Sequence, residues 1–250
     1  MLMKVAEIIF SPTGGTEKVA RMISGQWSDS PLRVDLCDAK ADFAQYDMTG
    51  MDMALIAMPS FGGRAPAVAI ERLKKIAGSG IRCALVCVYG NRAYEDTLVE
   101  MEDAARACGF RVIAAIAAVA EHSILPQYAT GRPDASDAAQ LAGFAARIAS
   151  KDNEVASLPG NRPYKKSGGA GLVPKAAKEC VKCGLCAEKC PVQAIDPADF
   201  SADPHACIGC MRCVRQCPHD ARKVNSAIVS MAAMAIRKAC LVKKENELYL

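Results

Sequence analysis

Histidine is nearly missing from this chain, with three in 250 residues, and aromatic side chains make up only 5%. His205 and His219 read as loop residues in polar turns, and no acid/base pair stands out for proton-transfer catalysis. His122, after an apolar run, is the one candidate proton donor, and a plain loop histidine is the simpler reading of it. Long apolar runs are absent as well. Ala227–Val242 is interrupted by Arg237 and Lys238, and is too short and too charged to span a bilayer. Met1 to Phe10 holds one Lys before a short apolar run, which suits a buried first strand better than a signal peptide. A cytoplasmic protein without membrane insertion is therefore expected.

Cysteine, by contrast, is abundant. Eight of the thirteen fall within Cys180–Cys217, while Cys37, Cys83, Cys87, Cys108 and Cys240 are scattered, mostly in apolar runs. Scattered thiols of this kind read as small buried hydrophobes, and the clustering favours metal-bound thiolates in a reducing compartment over a disulfide scaffold. Within the cluster a motif repeats. Cys180, Cys183, Cys186 and Cys190-Pro191 have the spacing C-x2-C-x2-C-x3-C-P, and Cys207, Cys210, Cys213 and Cys217-Pro218 have it again. Three closely spaced thiolates wrap one face of a cubane, and the fourth cysteine, turned by its proline, reaches the other cluster. This assigns Cys180, Cys183, Cys186 and Cys217 to one [4Fe–4S] cluster, and Cys207, Cys210, Cys213 and Cys190 to a second. Zinc is the rival reading, but its sites use paired C-x2-C elements rather than two triplets each with a distal Cys-Pro.

The same motif changes the meaning of charge. Residues 1–150 carry a net −2 and residues 151–250 a net +6. A basic end can signal nucleic acid, yet two four-thiolate clusters would each bring about −2 when oxidised. The surplus shrinks to about +2, so no nucleic-acid partner is expected.

The first 150 residues alternate between strand-like and helix-like runs. Lys4–Phe10, Leu32–Cys37, Met51–Met58, Arg82–Tyr89 and Phe110–Ala120 are apolar runs of strand length. Thr16–Gln26, Pro66–Ala77, Tyr94–Cys108 and Pro133–Ser150 have helical spacing, whereas Asp38–Tyr46 need not be a full helix. Near-continuous apolar strands imply burial on both faces, hence an α/β fold with a five-stranded, doubly wound parallel sheet over residues 1–150. Residues 151–174, rich in Gly and Pro, read as a linker. Residues 175–222 form a small α+β unit around the cysteines, and 223–250 a C-terminal helix and tail whose apolar face reads as packing surface.

After the first strand comes Ser11-Pro12-Thr13-Gly14-Gly15-Thr16, opening a helix. Its hydroxyls and flexible backbone can converge on one phosphate at a helix N-terminus. No Lys follows the Gly pair and G-x-G-x-x-G is lacking, so neither a nucleoside-triphosphate loop nor the dinucleotide fingerprint fits; a phosphate monoester suggests FMN, and a plain Gly-rich turn capped by Thr16 is the alternative. Two more loops end the third and fourth strands: Pro59-Ser60-Phe61-Gly62-Gly63-Arg64 and Tyr89-Gly90-Asn91-Arg92-Ala93-Tyr94. Both fall at the carboxyl edge, where open α/β sheets bind ligands. Phe61 with Tyr89 or Tyr94 could sandwich an isoalloxazine ring, and Arg64 and Arg92 could stabilise an anionic reduced flavin or simply be solvated.

Residues 176–222 resemble the bacterial two-cluster ferredoxins. The phosphate loop and the two aromatic loops look like those of flavodoxins, although the acidic loop typical of free-standing flavodoxins is absent. Together with Gly131-Arg132-Pro133-Asp134 entering the last helix of the first domain, the whole chain resembles flavodoxin–ferredoxin fusion proteins. That resemblance implies FMN, two [4Fe–4S] clusters, and electron transfer to and from redox protein partners in anaerobic-type metabolism. The alternative is a flavin-dependent oxidoreductase that accepts hydride from NAD(P)H or reduces a small substrate.

Overall fold

The computed structural model describes residues 3–166, 168 and 171–250. Five parallel strands form the centre: β1 (Val5–Ile9), β2 (Leu32–Asp35), β3 (Met53–Pro59), β4 (Arg82–Tyr89) and β5 (Arg111–Val119). They lie in the order β2-β1-β3-β4-β5, the flavodoxin-like doubly wound order. The direction of travel across the sheet reverses between β1 and β3, so a crevice opens there at the carboxyl edge. Both faces of the sheet are covered, as the unbroken apolar strands require. Helices α2 (Ala67–Leu73) and α3 (Thr97–Ala107) pack on one face through Leu73, Leu98 and Met101. On the other, α1 (Gly15–Ser24) and α4 (Ala135–Ala149) pack through Val19, Ile23, Leu141 and Ile148. The Trp27 indole ties the latter pair together by donating to the Ala145 carbonyl at 3.0 Å. Cys83 and Cys87 share the face covered by α2 and α3, as their even spacing predicts. Between β2 and β3 only one 3₁₀ turn forms, Phe43–Gln45, capped by Asp42.

Three features depart from the sequence reading. The sheet has a sixth strand, β8 (Glu247–Tyr249), which pairs antiparallel with β5 from the far end of the chain. The stretch read as a linker is tied down. Asp96 accepts from the Asn161 N–H and amide and the Lys165 N–H at 2.7–3.0 Å, while Arg162 bridges Asp103 and Glu102. Its Tyr164 ring lies under the Arg64 guanidinium, 4.7 Å from centroid to carbon. The long helix α7 (Ser226–Cys240), capped by Asn225, buries only Cys240 and leaves Met234 68% exposed, so little of it is packing surface.

The cysteine-rich unit is closed by a short antiparallel pair, β6 (Lys175–Ala176) with β7 (Arg222–Lys223). It holds two single-turn helices, α5 (Leu185–Glu188) and α6 (Arg212–Arg215), around a small core of Cys190, Ala194, Ile195 and Phe200. Among the described residues no helix is long and apolar enough to cross a membrane.

Candidate functional site

The repeated cysteine motif folds twice into the same backbone shape. In each copy the residue two after the first cysteine and the one four after it are left-handed: Lys182 and Gly184, then Gly209 and Met211. In each copy the residue three after the fourth cysteine is left-handed too, Gln193 and Asp220, which aims the next N–H back at the cysteine sulfur. Ala194 N–H donates to Cys190 Sγ at 3.3 Å and Ala221 N–H to Cys217 Sγ at 3.2 Å. Bonds of this kind favour the thiolate over the thiol. The result is two small cavities of similar size. Cys190, Cys207, Cys210 and Cys213 line one, and Cys180, Cys183, Cys186 and Cys217 the other. Each cavity thus draws three thiols from one run and the fourth from its partner run. Among the described residues no group of three or more His, Cys, Asp or Glu side chains is placed to hold a metal ion. Burial pushes the Cys210 thiol up to about 12, the Arg212 N–H pulling against it.

At the carboxyl edge of the sheet, Gly14 takes φ +92° before α1, a conformation that glycine adopts freely, and has no side chain to cap the helix. Ser11 Oγ accepts the Glu17 N–H at 2.9 Å. The N–H groups of Gly15 and Thr16 belong to the first turn and have no acceptor within the helix. Their donors, with the helix dipole behind them, suit a phosphate. The loop after β3 places Pro59, Ser60, Phe61, Gly62 and Gly63 beside it, on the strand next to β1. Ser60 Oγ is held by the Thr97 hydroxyl at 2.8 Å, and the Phe61 ring is half-buried.

The loop after β4 is less available than its sequence suggests. Tyr89 is 4% exposed and belongs to the core, leaving Phe61 and Tyr94 as the aromatic faces at this edge. Tyr94 packs edge-on against Tyr89 at 5.1 Å and bonds to the Tyr249 hydroxyl at 2.7 Å. The Asn91 side chain is committed to the C-terminal segment, donating to the Cys240 and Val242 carbonyls and accepting the Lys244 N–H. Arg92 is paired with Glu95, and Arg64 forms a fork on Glu100 at 2.6–2.7 Å, so neither guanidinium is free for a flavin. Gly90 is packed under the His122 ring: a Cβ there would lie 2.6 Å from it. His122 Nδ1 accepts from the Ile124 and Leu125 N–H groups, and burial, aided by Arg92, depresses its pKa. His122 caps a turn, which leaves it no evident role as a proton donor.

Residues 179–221 match the family described as the 4Fe-4S dicluster domain. No curated protein matches the chain. Solved structures similar to it include a Streptococcus pneumoniae flavodoxin, at 17% identity and TM-score 0.42, covering 60% of this chain and 99% of that one. Oxidised flavodoxin 1 from Bacillus cereus is 16% identical, TM-score 0.42, over 58% and 97% of the two chains. The Trp repressor binding protein of Bacillus subtilis is 11% identical, TM-score 0.40, over 60% and 99%. The fold of the first domain rests on its own strand order, given above.

The dicluster segment works in electron transfer, the chemistry that [4Fe–4S] cubanes supply. It sits against the α/β domain through its second cysteine run and the Pro191 that ends the first. Arg212, two residues after Cys210, points Nη1 at the Ser11 carbonyl at 3.4 Å. Arg72 on α2 joins the Leu36 carbonyl to that of Pro191, both at 2.6 Å. Ile208 packs on the main core beneath. Two residues that matter here were missed in the sequence. Arg212 and Arg222 look like ordinary surface charges beside a motif, and only the folded chain turns them inward.

Proposed function

We propose that this chain passes electrons between FMN, held at the β1/β3 edge of the α/β domain, and two [4Fe–4S] clusters, exchanging them with external redox proteins. The observation that carries this reading is the contact between Arg212 and Ser11. It brings the cavity of Cys190, Cys207, Cys210 and Cys213 beside the loop suited to the flavin phosphate. The other cavity shares Arg222 with it, so the order proposed is flavin edge, near cluster, far cluster.

When bound, FMN supplies one- and two-electron chemistry and the cubanes single electrons at low potential. The chain's own residues do the rest. Gly14, Gly15 and Thr16 offer N–H donors to a phosphate, with Ser11 and Thr13 beside them, and Phe61 and Tyr94 offer faces to a flat ring. Pro59, Ser60, Gly62 and Gly63 let backbone approach its edge. The cysteine loops line each cavity and aim N–H groups at sulfur.

A kinetic test is direct. The fully reduced, anaerobic protein is mixed with a one-electron acceptor, and flavin and iron–sulfur absorbance are followed separately. Redistribution between the two cofactors is expected at a rate independent of protein concentration, because both sit in one chain. A rate that rises in proportion to concentration would mean the cofactors meet only between molecules, against this proposal.

A further inference from the structure

The two halves of the cysteine unit share cysteine spacing and left-handed backbone positions, which puts the residues five past the fourth cysteine in register. There the first half has Ile195 and the second has Arg222. Ile195 is an apolar core residue lining one cavity. Arg222 is 2% exposed and lines both. Its Nη1 donates to the Phe200 carbonyl at 2.7 Å, while Nε and Nη2 are buried with no partner. The Arg222 guanidinium is the one group among the cavity-lining residues that carries full charge at both sites.

A buried guanidinium with two unmet N–H groups is costly by itself, because the desolvation of the charge is not repaid. Four thiolates on a cubane give each site a net negative charge, and that charge grows by one when the cluster is reduced. A fixed cation therefore favours the reduced state more than the oxidised one.

We propose that Arg222 is a shared counter-charge that raises the reduction potential of both clusters at once. This inference rests on the two-cluster reading. Reduction here is the gain of one electron per cluster from an external reductant such as dithionite. No bond forms or breaks and no proton moves. Because one guanidinium serves both sites, the two potentials are tied: a change at Arg222 moves them together, keeping electron exchange between near and far cluster close to balanced. Arg222 acts as a positioning and tuning residue and is not a ligand.

The test is an anaerobic redox titration with mediators, followed by EPR, on the full chain and on Arg222→Met, Arg222→Gln and Arg222→Lys, each with its iron and sulfide measured. Methionine and glutamine remove the charge, and glutamine retains donor groups should the methionine variant not assemble. Either variant is expected to disfavour reduction of both clusters by at least tenfold, which is 59 mV for a one-electron couple. Lysine keeps the charge and is expected to stay near the wild type. Loaded clusters with unmoved potentials in the neutral variants, a shift at one cluster alone, or a lysine variant that falls as far as methionine would each overturn the proposal. A wild-type chain lacking iron and sulfide would overturn the two-cluster reading beneath it as well, a result the metal analysis reports before any titration.

Discussion

Cys190→Ala is expected to remove the cluster at Cys207, Cys210 and Cys213, in the other cysteine run, and to leave the cluster of its own run in place. Iron and sulfide should fall by half, and the EPR spectrum of the reduced protein should lose any splitting from spin coupling and become that of one isolated cubane. The reason is the crossing of the fourth ligand: Cys190 lines the cavity of the second triplet, and Cys217 that of the first. Alanine is the right replacement, since a serine oxygen can still bind iron. Because the lost cluster is the one beside Ser11, the fast internal exchange with the flavin should go with it. Cys217→Ala should also halve the iron, yet it removes the far cluster and keeps that exchange. If Cys190→Ala instead emptied the site of Cys180, Cys183 and Cys186, each run would bind its own cluster and the pairing would be wrong.

The second large effect is at the docking of the C-terminal tail on the sheet. Asp137→Ala should destabilise the chain by about 3–5 kcal/mol, because it strips a buried guanidinium of its partner. Arg132 Nε and Nη2 form a fork on Asp137 at 3.0 and 2.5 Å, and Arg132 Nη1 donates to the Lys244 carbonyl at 2.6 Å. Asn246 donates to Asp137 at 2.9 Å and accepts the Val119 N–H at 2.9 Å, which docks β8 on the sheet. Losing Asp137 thus unties the tail as well as orphaning a charge. Urea unfolding measures the stability, and limited proteolysis should cut the variant first between α7 and β8. A stability change under 1 kcal/mol with an intact tail would count against this network. The pH dependence has a definite sign. Burial pushes the Asp137 carboxyl up, but Arg132, the Asp134 N–H and Asn246 outweigh it and hold the group at about 2, below its ordinary 3.8. Its contribution is therefore complete above about pH 4 and is lost as pH falls through 2. The wild type should lose that stability in acid, and Asp137→Ala should have none of it to lose.

How much of this was legible depended on whether the signal was local. The cysteine spacing carried the crossed ligand sets because the chemistry of a cubane dictates the offsets, and the cavities group the same eight residues. The five parallel strands were legible from unbroken apolar runs. Those same runs hid which way Tyr89 points: a strand buried on both faces has no alternation to read, and Tyr89 falls on the same inward side as Cys83, Leu85 and Cys87. β8 is three residues long, too short for any pattern, and its docking depends on Asn246 and Asn91, whose amides meet partners across more than a hundred residues. The strap over α3 was opaque for a similar reason. Pro and Gly in residues 151–174 did announce irregular backbone, but its order comes from carboxylates on another element, Asp96, Glu102 and Asp103. Arg222 was the hardest to see. A lone arginine after a motif reads as solvated, and only the comparison with Ile195 in the folded repeat marks it as out of place.

Cofactor content measured on protein purified without oxygen tests the whole arrangement most directly. Iron and acid-labile sulfide should be present in the amounts of two cubanes per chain, with one FMN beside them. Zinc in place of iron, or iron without sulfide, would contradict the cluster assignment, and full clusters with no bound flavin would contradict the role given to the sheet edge.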